Sequence, residues 1–254
     1  MKFLTLANIA FRSFFLEASW NNQGQQNLGL AAAIDPALKR LYHSAEGLRA
    51  ARERALEYFN TNPVASGVAI GVILKLEGDV AAGRLNPEDR LRVASSLSRT
   101  LAAMGDSFFW QSWLPLCCLT AVWADLSLSS CWTPLLLPLL FCLPALPVRL
   151  AGLYLGYRRG EDIIDLLFRL KIQRRAQGVR RALALVVGAS TVILLGTKTA
   201  LADSLGRLWL TVGAVLFSVI CLRFLSRRAG RLNYWYPLIM VGLAAVLLFF
   251  LKRG

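Results

Sequence analysis

Of 254 residues, 56% are hydrophobic and the mean hydropathy is +0.50, yet 29 Lys and Arg stand against 15 Asp and Glu, for a net charge of +14. An apolar chain with basic connecting segments is the composition of a membrane protein whose cytoplasmic loops collect Lys and Arg. Nucleic acid is excluded as the target of that charge, because the arginines flank apolar blocks and no zinc-finger or RNP-type signature accompanies them.

The first element is an amphipathic helix. Phe3, Leu4, Leu6, Ile9, Phe11, Phe14, Phe15 and Leu16 supply an apolar face suited to a membrane surface or a partner's groove. Arg12 and Glu17 interrupt the run and no small-residue cleavage site follows, so a signal peptide is not expected. Asp35-Pro36 then reads as N-cap and first helical residue. The spacing of Leu38, Leu41, Tyr42, Ala45, Leu48, Ala55, Leu56 and Phe59 predicts a helix over 36–59, its charged face solvated.

Asn60-Thr61-Asn62-Pro63 sets three polar side chains ahead of an apolar block at 64–76. At about 13 residues that block is too short to span and suits a re-entrant or broken helix, with Glu77 at a solvated end. The polar side chains either cap the break or hydrogen-bond a polar solute. Asn86-Pro87-Glu88-Asp89 starts a second amphiphilic helix, slim at Ala94, Ser95, Ser98 and Ala102, that delivers the chain to Gly105-Asp106. A carboxylate entering hydrocarbon usually faces a bundle interior or a solute path. The competing local reading is that Gly105 ends one helix and Asp106 caps the next.

Five spans follow, at about 110–124, 131–148, 182–197, 208–222 and 234–251, with Trp110, Trp123, Trp132, Trp209, Trp235 and Tyr236 as interfacial aromatics. The stretch 149–181 holds nine basic and three acidic residues and is expected to be cytoplasmic. Alternation puts the turn near 198–207 outside, Arg223, Arg227, Arg228 and Arg231 inside, and the C-terminus outside. The fold class is therefore all-α and integral to the membrane. Expected segments are an arm and polar motif (1–34), amphiphilic helices with the re-entrant block (35–109), a membrane hairpin (110–148), the basic loop (149–181) and C-terminal spans (182–254).

Catalytic machinery is not evident. Cys117, Cys118, Cys131, Cys142 and Cys221 fall in or beside spans as small hydrophobes, with no metal-ligand spacing, and His43 sits on a charged helix. Neither a phosphoryl carrier nor a P-loop is seen, so no catalytic residue, cofactor or metal is expected.

Several motifs, in order, resemble one family. Ser13-Phe14-Phe15-Leu16-Glu17-Ala18-Ser19-Trp20-Asn21 with Gln26-Asn27-Leu28-Gly29, Leu56-Glu57-Tyr58-Phe59-Asn60-Thr61-Asn62-Pro63 and Gly105-Asp106-Ser107-Phe108-Phe109-Trp110 are similar to the IID component of mannose-class sugar phosphotransferase systems. Gly71 through Glu77, and Arg149–Gly152 with Gly156-Tyr157, Gly160 and Asp162-Ile163, extend the match over about residues 8–190. The resemblance implies a multi-pass subunit of the bacterial inner membrane with a cytoplasmic N-terminus. It implies a IIC partner sharing translocation of a hexose-type sugar, phosphoryl transfer by separate IIA and IIB proteins, and a trimer of heterodimers in the bilayer. Trp20 is then expected to stack on the pyranose ring, or else to anchor at the interface, with Asn21, Asn60, Asn62 and Asp106 as hydrogen-bonding partners. The chain departs from the family pattern at Asn22-Gln23-Gly24-Gln25, where a charge pair is usual, at Leu114 in place of Arg, at Cys142 in place of Asn, and at Gln173–Gly178. Joint loss of several polar partners leaves open a degenerate member acting as a regulatory or scaffold membrane protein without transport.

Overall fold

A computed structural model of the chain describes residues 3–128 and 132–198. Helix α1 (Phe3–Ser13) leads through a turn and a hydrogen-bonded loop to α2 (Asn27–Leu41) and α3 (Ala45–Ala55). Helix α4 (Ser66–Ala81) and α5 (Pro87–Gly105) follow, and α5 runs directly into a π-helical turn (Asp106–Trp113) and α6 (Leu114–Leu128). After the hairpin come α7 (Leu136–Arg159), α8 (Ile163–Arg169) and α9 (Ile172–Lys198). The described residues hold no strand, only isolated bridges joining Asn21 to Gln25 and Gln25 to Phe59. One compact unit extends through Leu183 and a second begins at Ala184.

Helix α4 is the centre of the first unit. Ser66 through Leu74, Leu76 and Glu77 are all buried, so protein rather than lipid encloses the short apolar block. That is the condition under which such a segment is tolerated at membrane depth. Its main partner is α7, and the two backbones meet through paired glycines. A Cβ on Gly67 would come within 1.9 Å of the Arg149 carbonyl oxygen, and one on Gly71 within 2.3 Å of that of Leu153. On the facing helix, a Cβ on Gly156 would lie 2.5 Å from the Val68 carbonyl oxygen. Gly67-x3-Gly71 against Gly152-x3-Gly156 is thus a small-residue crossing of the kind membrane helices use.

The helix expected over 36–59 is two helices, and Asp35 is not a cap. Pro36 lies inside α2, where its missing N–H strands the carbonyl of Ala32. Arg12 Nη1 donates to that oxygen at 3.1 Å, so a side chain from α1 supplies what the backbone lacks. Asp35 instead bonds Lys39 (2.8 Å) and Arg52 (2.7 Å), clasping α2 to α3. The true break is at 42–44, where the Ser44 hydroxyl accepts from Gly47 N as the N-cap of α3. The same device recurs in α7, where Pro144 leaves the Leu140 carbonyl unpaired and the Trp113 indole N–H donates to it at 3.2 Å. The Asn86 cap is as expected, its side chain accepting from Glu88 N at 3.0 Å.

Glu77 is not solvated. It is fully buried, accepting from the Tyr42 hydroxyl (2.7 Å) and from Arg54 Nη2 and Nε (3.0 and 3.3 Å), with Arg90 Nε 2.8 Å away. The Arg90 contact is one of charge: its N–H vectors miss the carboxylate, and Nε and Nη2 have no hydrogen-bond partner among the described residues. Burial draws the Arg90 guanidinium below its ordinary pKa, with Glu77 opposing. Burial and the bond to Glu77 push the Tyr42 hydroxyl well above its own.

Among the described residues, one helical run, Thr133–Gly188, carries a stretch apolar and long enough to cross a bilayer, with mean hydropathy 1.9 and only 11% of it buried. The basic stretch 149–181 is largely helical, taking in the end of α7, all of α8 and the start of α9. The spans expected at 208–222 and 234–251, the turn near 198–207, the basic residues 223–231, the C-terminus, Cys131 and Cys221 lie outside the described residues.

Candidate functional site

Asn62 and Asp106 stand 44 positions apart in sequence and touch in space: Asn62 Nδ2 donates to Asp106 Oδ1 at 2.8 Å. The contact exists because Gly105 has no side chain; a Cβ there would fall 2.4 Å from that of Asn62. Gly105 and Asp106 both have right-handed helical φ and ψ, and no side-chain bond caps the π-turn. The helix therefore passes through Gly105 without ending, and the capping reading of Asp106 is wrong. Asn62 also accepts from Val64 N (3.0 Å) and Ala65 N (3.4 Å), so it closes the N-terminal approach to α4 while clamping Asp106.

Beside this clamp is a polar cavity of about 250 Å³, lined by Trp20, Asn60 and Asp106 together with Glu17, Gln26, Thr61, Pro63, Ala102 and Trp110. Three of the five expected site residues thus share one wall, and Asn62 holds a fourth position by its bond to Asp106. Asn21 does not line it. Its carbonyl-type oxygen accepts from Gln23 N (3.1 Å) and Gly24 N (2.8 Å), and its amide donates to Asn27 Oδ1 (3.0 Å), so its side chain is consumed in shaping the loop.

That loop explains how Trp20 is positioned. Asn21 and Gln25 exchange backbone bonds, Gln26 N donates to Phe59 O, Phe59 N to Gly24 O, and Asn27 Nδ2 to Leu56 O at 2.6 Å. The amides thereby tie residues 21–27 to the strap 56–61. Gln26, 2% exposed, spans the two: its amide donates to Glu17 Oε1 (2.6 Å) and Thr61 O (2.8 Å) and accepts from Thr61 N (2.9 Å).

Glu17, Gln26 and Trp110 were missed as lining residues. Trp110 reads in sequence as an interfacial aromatic, whereas it stacks on Phe141 (centroids 5.6 Å apart, planes at 7°) and forms a second indole wall with Trp20. The sequence signal for Glu17 and Gln26 is their place in the segments Ser13–Asn21 and Gln26–Gly29 that resemble the IID pattern. The π-turn that presents Asp106 and Trp110 ends at Trp113, just ahead of Pro115, which cannot donate a helical backbone bond. Arg180 from α9 steadies it, donating to the Ser107 carbonyl (2.9 Å) and to the hydroxyls of Ser107 (3.0 Å) and Ser112 (3.2 Å).

Chemically the cavity offers acceptors and rings. Asp106 and Glu17 each leave one carboxylate oxygen open, and the Asn60 amide has no partner among the described residues, an arrangement matched to a polyhydroxylated solute. The described residues contain no cluster of metal ligands.

The family model for the mannose/fructose/sorbose IID component of phosphotransferase systems matches residues 3–251. The chain belongs to this family. It is 32% identical over 187 residues to the mannose-specific EIID component of Escherichia coli K12 (72% of this chain, 65% of the relative). The sorbose-specific EIID component of Lacticaseibacillus casei is 29% identical over 94% of this chain and 90% of its own length. The fructose permease IID component of Bacillus subtilis is 31% identical over 70% and 65%. The match thus spans about two thirds of the length of the Escherichia coli relative. Among solved structures, the mannose transporter ManYZ in complex with microcin E492 aligns with 100% of this chain and 97% of that chain (TM-score 0.60, 25% identity). A second, described as a membrane protein, gives TM-score 0.70 at 24% identity over 97% of each chain and supports the fold. This IID chain is a helical membrane protein.

Proposed function

We propose that this IID chain pairs with a IIC subunit as the translocation unit for a hexose-type sugar, and that the polar cavity is its contribution to the solute path. The observation that carries the reading is the convergence of Trp20, Asn60 and Asp106, from three separate segments, on one cavity with Asn62 clamping the carboxylate. Trp20 and Trp110 offer ring faces to a pyranose, Asn60 offers donors and an acceptor, and Asp106 and Glu17 accept from hydroxyls. Asn62 acts by holding Asp106 and leaves the solute to its neighbours. Asn21 acts more remotely still, through the loop that holds Trp20. Phosphoryl transfer is assigned to IIA and IIB proteins, the complex to a trimer of heterodimers in the bacterial inner membrane, and the N-terminus to the cytoplasm.

The test is sugar uptake by cells or vesicles carrying the IIC–IID complex with Asp106→Asn. A hydrogen bond to a charged group is worth about 1.5–3 kcal/mol, so uptake at limiting sugar should fall roughly 10- to 100-fold while the hetero-complex still co-purifies. Wild-type uptake by that variant sinks the site assignment. A complex that assembles but transports nothing even as wild type identifies a regulatory or scaffold member instead.

A further inference from the structure

A second cavity, of about 200 Å³, lies behind the π-turn and differs in character from the first. Its walls are apolar, including Leu101 and Met104 of α5, Phe109 of the π-turn, Val148 of α7 and Leu170 ahead of α9, and Arg175 is its only charged member. The Arg175 side chain is exposed and its guanidinium donates to no acceptor among the described residues, and the side chains of Lys171 and Arg174 beside it are likewise without one. The acids of that segment, Glu161, Asp162 and Asp165, form no ion pair with them among the described residues. Phe168 and Leu170, which alternate in the chain with the exposed Arg169 and Lys171, are exposed by 65% and 38%. Exposed apolar side chains interleaved with unpaired cations are the surface chemistry of a segment at the lipid–water boundary.

We propose that this cavity binds one acyl chain of an anionic phospholipid whose phosphate is received by Arg175, with Lys171 alongside. The apolar walls select a hydrocarbon chain, the unpaired guanidinium selects an oxyanion, and a membrane protein has both on one molecule in its own solvent. A guanidinium matches phosphate geometry and is weakly hydrated, so it suits a headgroup at the mouth of an apolar slot. Phe109 and Gly105 face this cavity while Asp106 and Trp110 face the polar one, so the bound lipid rests on the turn that presents the carboxylate. The inference depends on membrane residence and stands whether or not the polar cavity carries sugar.

The experiment is native mass spectrometry of the purified IIC–IID complex after exposure to phosphatidylglycerol or to phosphatidylcholine with identical chains, with free glycerol phosphate as competitor. Retention of phosphatidylglycerol over phosphatidylcholine is expected. Arg175→Gln should cut phosphatidylglycerol retention about fivefold, the effect of one basic residue near an anionic lipid, and leave phosphatidylcholine unchanged. Val148→Phe, at a 40%-exposed position on the cavity edge, should lower retention of both lipids. Equal retention of the two lipids, no change in either variant, or competition by glycerol phosphate at the lipid's own concentration overturns the proposal. The last outcome identifies a free-phosphate site. Because both altered positions are exposed, co-purification with IIC verifies folding.

Discussion

Replacing Glu77 by Gln leaves shape almost unchanged and removes one negative charge from a fully buried position. Two guanidiniums then face each other: Arg54, with 12% of its side chain exposed, and Arg90, with 2%. Arg54 can turn toward water, whereas Arg90 cannot, and it already lacks acceptors at Nε and Nη2. Breaking a buried pair by removing one partner costs about 3–5 kcal/mol, most of it here the stranded charge on Arg90. That is a large fraction of a typical unfolding free energy of about 5–15 kcal/mol. The double variant Glu77→Gln/Arg90→Leu removes the stranded charge and should recover more than half of the loss, because an apolar replacement of a buried pair is often neutral. Denaturant or thermal unfolding of the purified complex in detergent, followed by tryptophan fluorescence, measures both. A single variant within 1 kcal/mol of wild type, or a double variant no better than the single one, refutes a buried network and returns Glu77 to a solvated helix end.

Gly71→Val places a side chain into the α4–α7 crossing, where even a Cβ would lie 2.3 Å from a backbone oxygen; a loss of about 1–3 kcal/mol or failure to assemble is expected, read by co-purification yield with IIC. Gly105→Ala forces Asn62 off Asp106, so uptake should fall by about tenfold, as for loss of one charge-assisted bond, with a smaller change in unfolding. Burial opposes it, but the bonds from Lys39 and Arg52 hold the Asp35 carboxyl below its ordinary pKa. The clasp between α2 and α3 is therefore fully present above the unfolded carboxylate pKa and is lost as pH falls through the depressed folded value. Asp35→Asn should flatten that part of the acid limb of stability, and an unchanged slope in pH-dependent unfolding counts against the clasp.

Local chemistry was readable wherever a residue acts on its own neighbours. Asn86 caps α5 as its sequence foretells, since an Asn ahead of Pro, Glu and Asp needs only the next turn's N–H groups. Asp35-Pro36 has the same form and fails, because the carbonyl that Pro36 orphans is answered by Arg12, 20 positions away from Ala32. The polar clusters around Trp20, Asn60 and Asp106 stood out because amides and carboxylates amid apolar residues are costly without a use. Which of them face the cavity was not legible. Asn21 and Asn62 have the same side chain; one is used up in a turn and the other clamps a carboxylate, according to what the chain brings beside them.

Composition and hydropathy by themselves determined that the chain is a helical membrane protein, since apolar length and basic flanks are sums over residues and need no partner. The order of its motifs determined the family. Packing alone decided that Glu77 is buried, that Trp110 faces a cavity and that glycines on α4 and α7 meet, because burial and close approach are properties of pairs of segments. A carboxylate at a helix end reads the same in sequence whether water or two arginines surround it; only α2, α3 and α5 closing over α4 made it the latter.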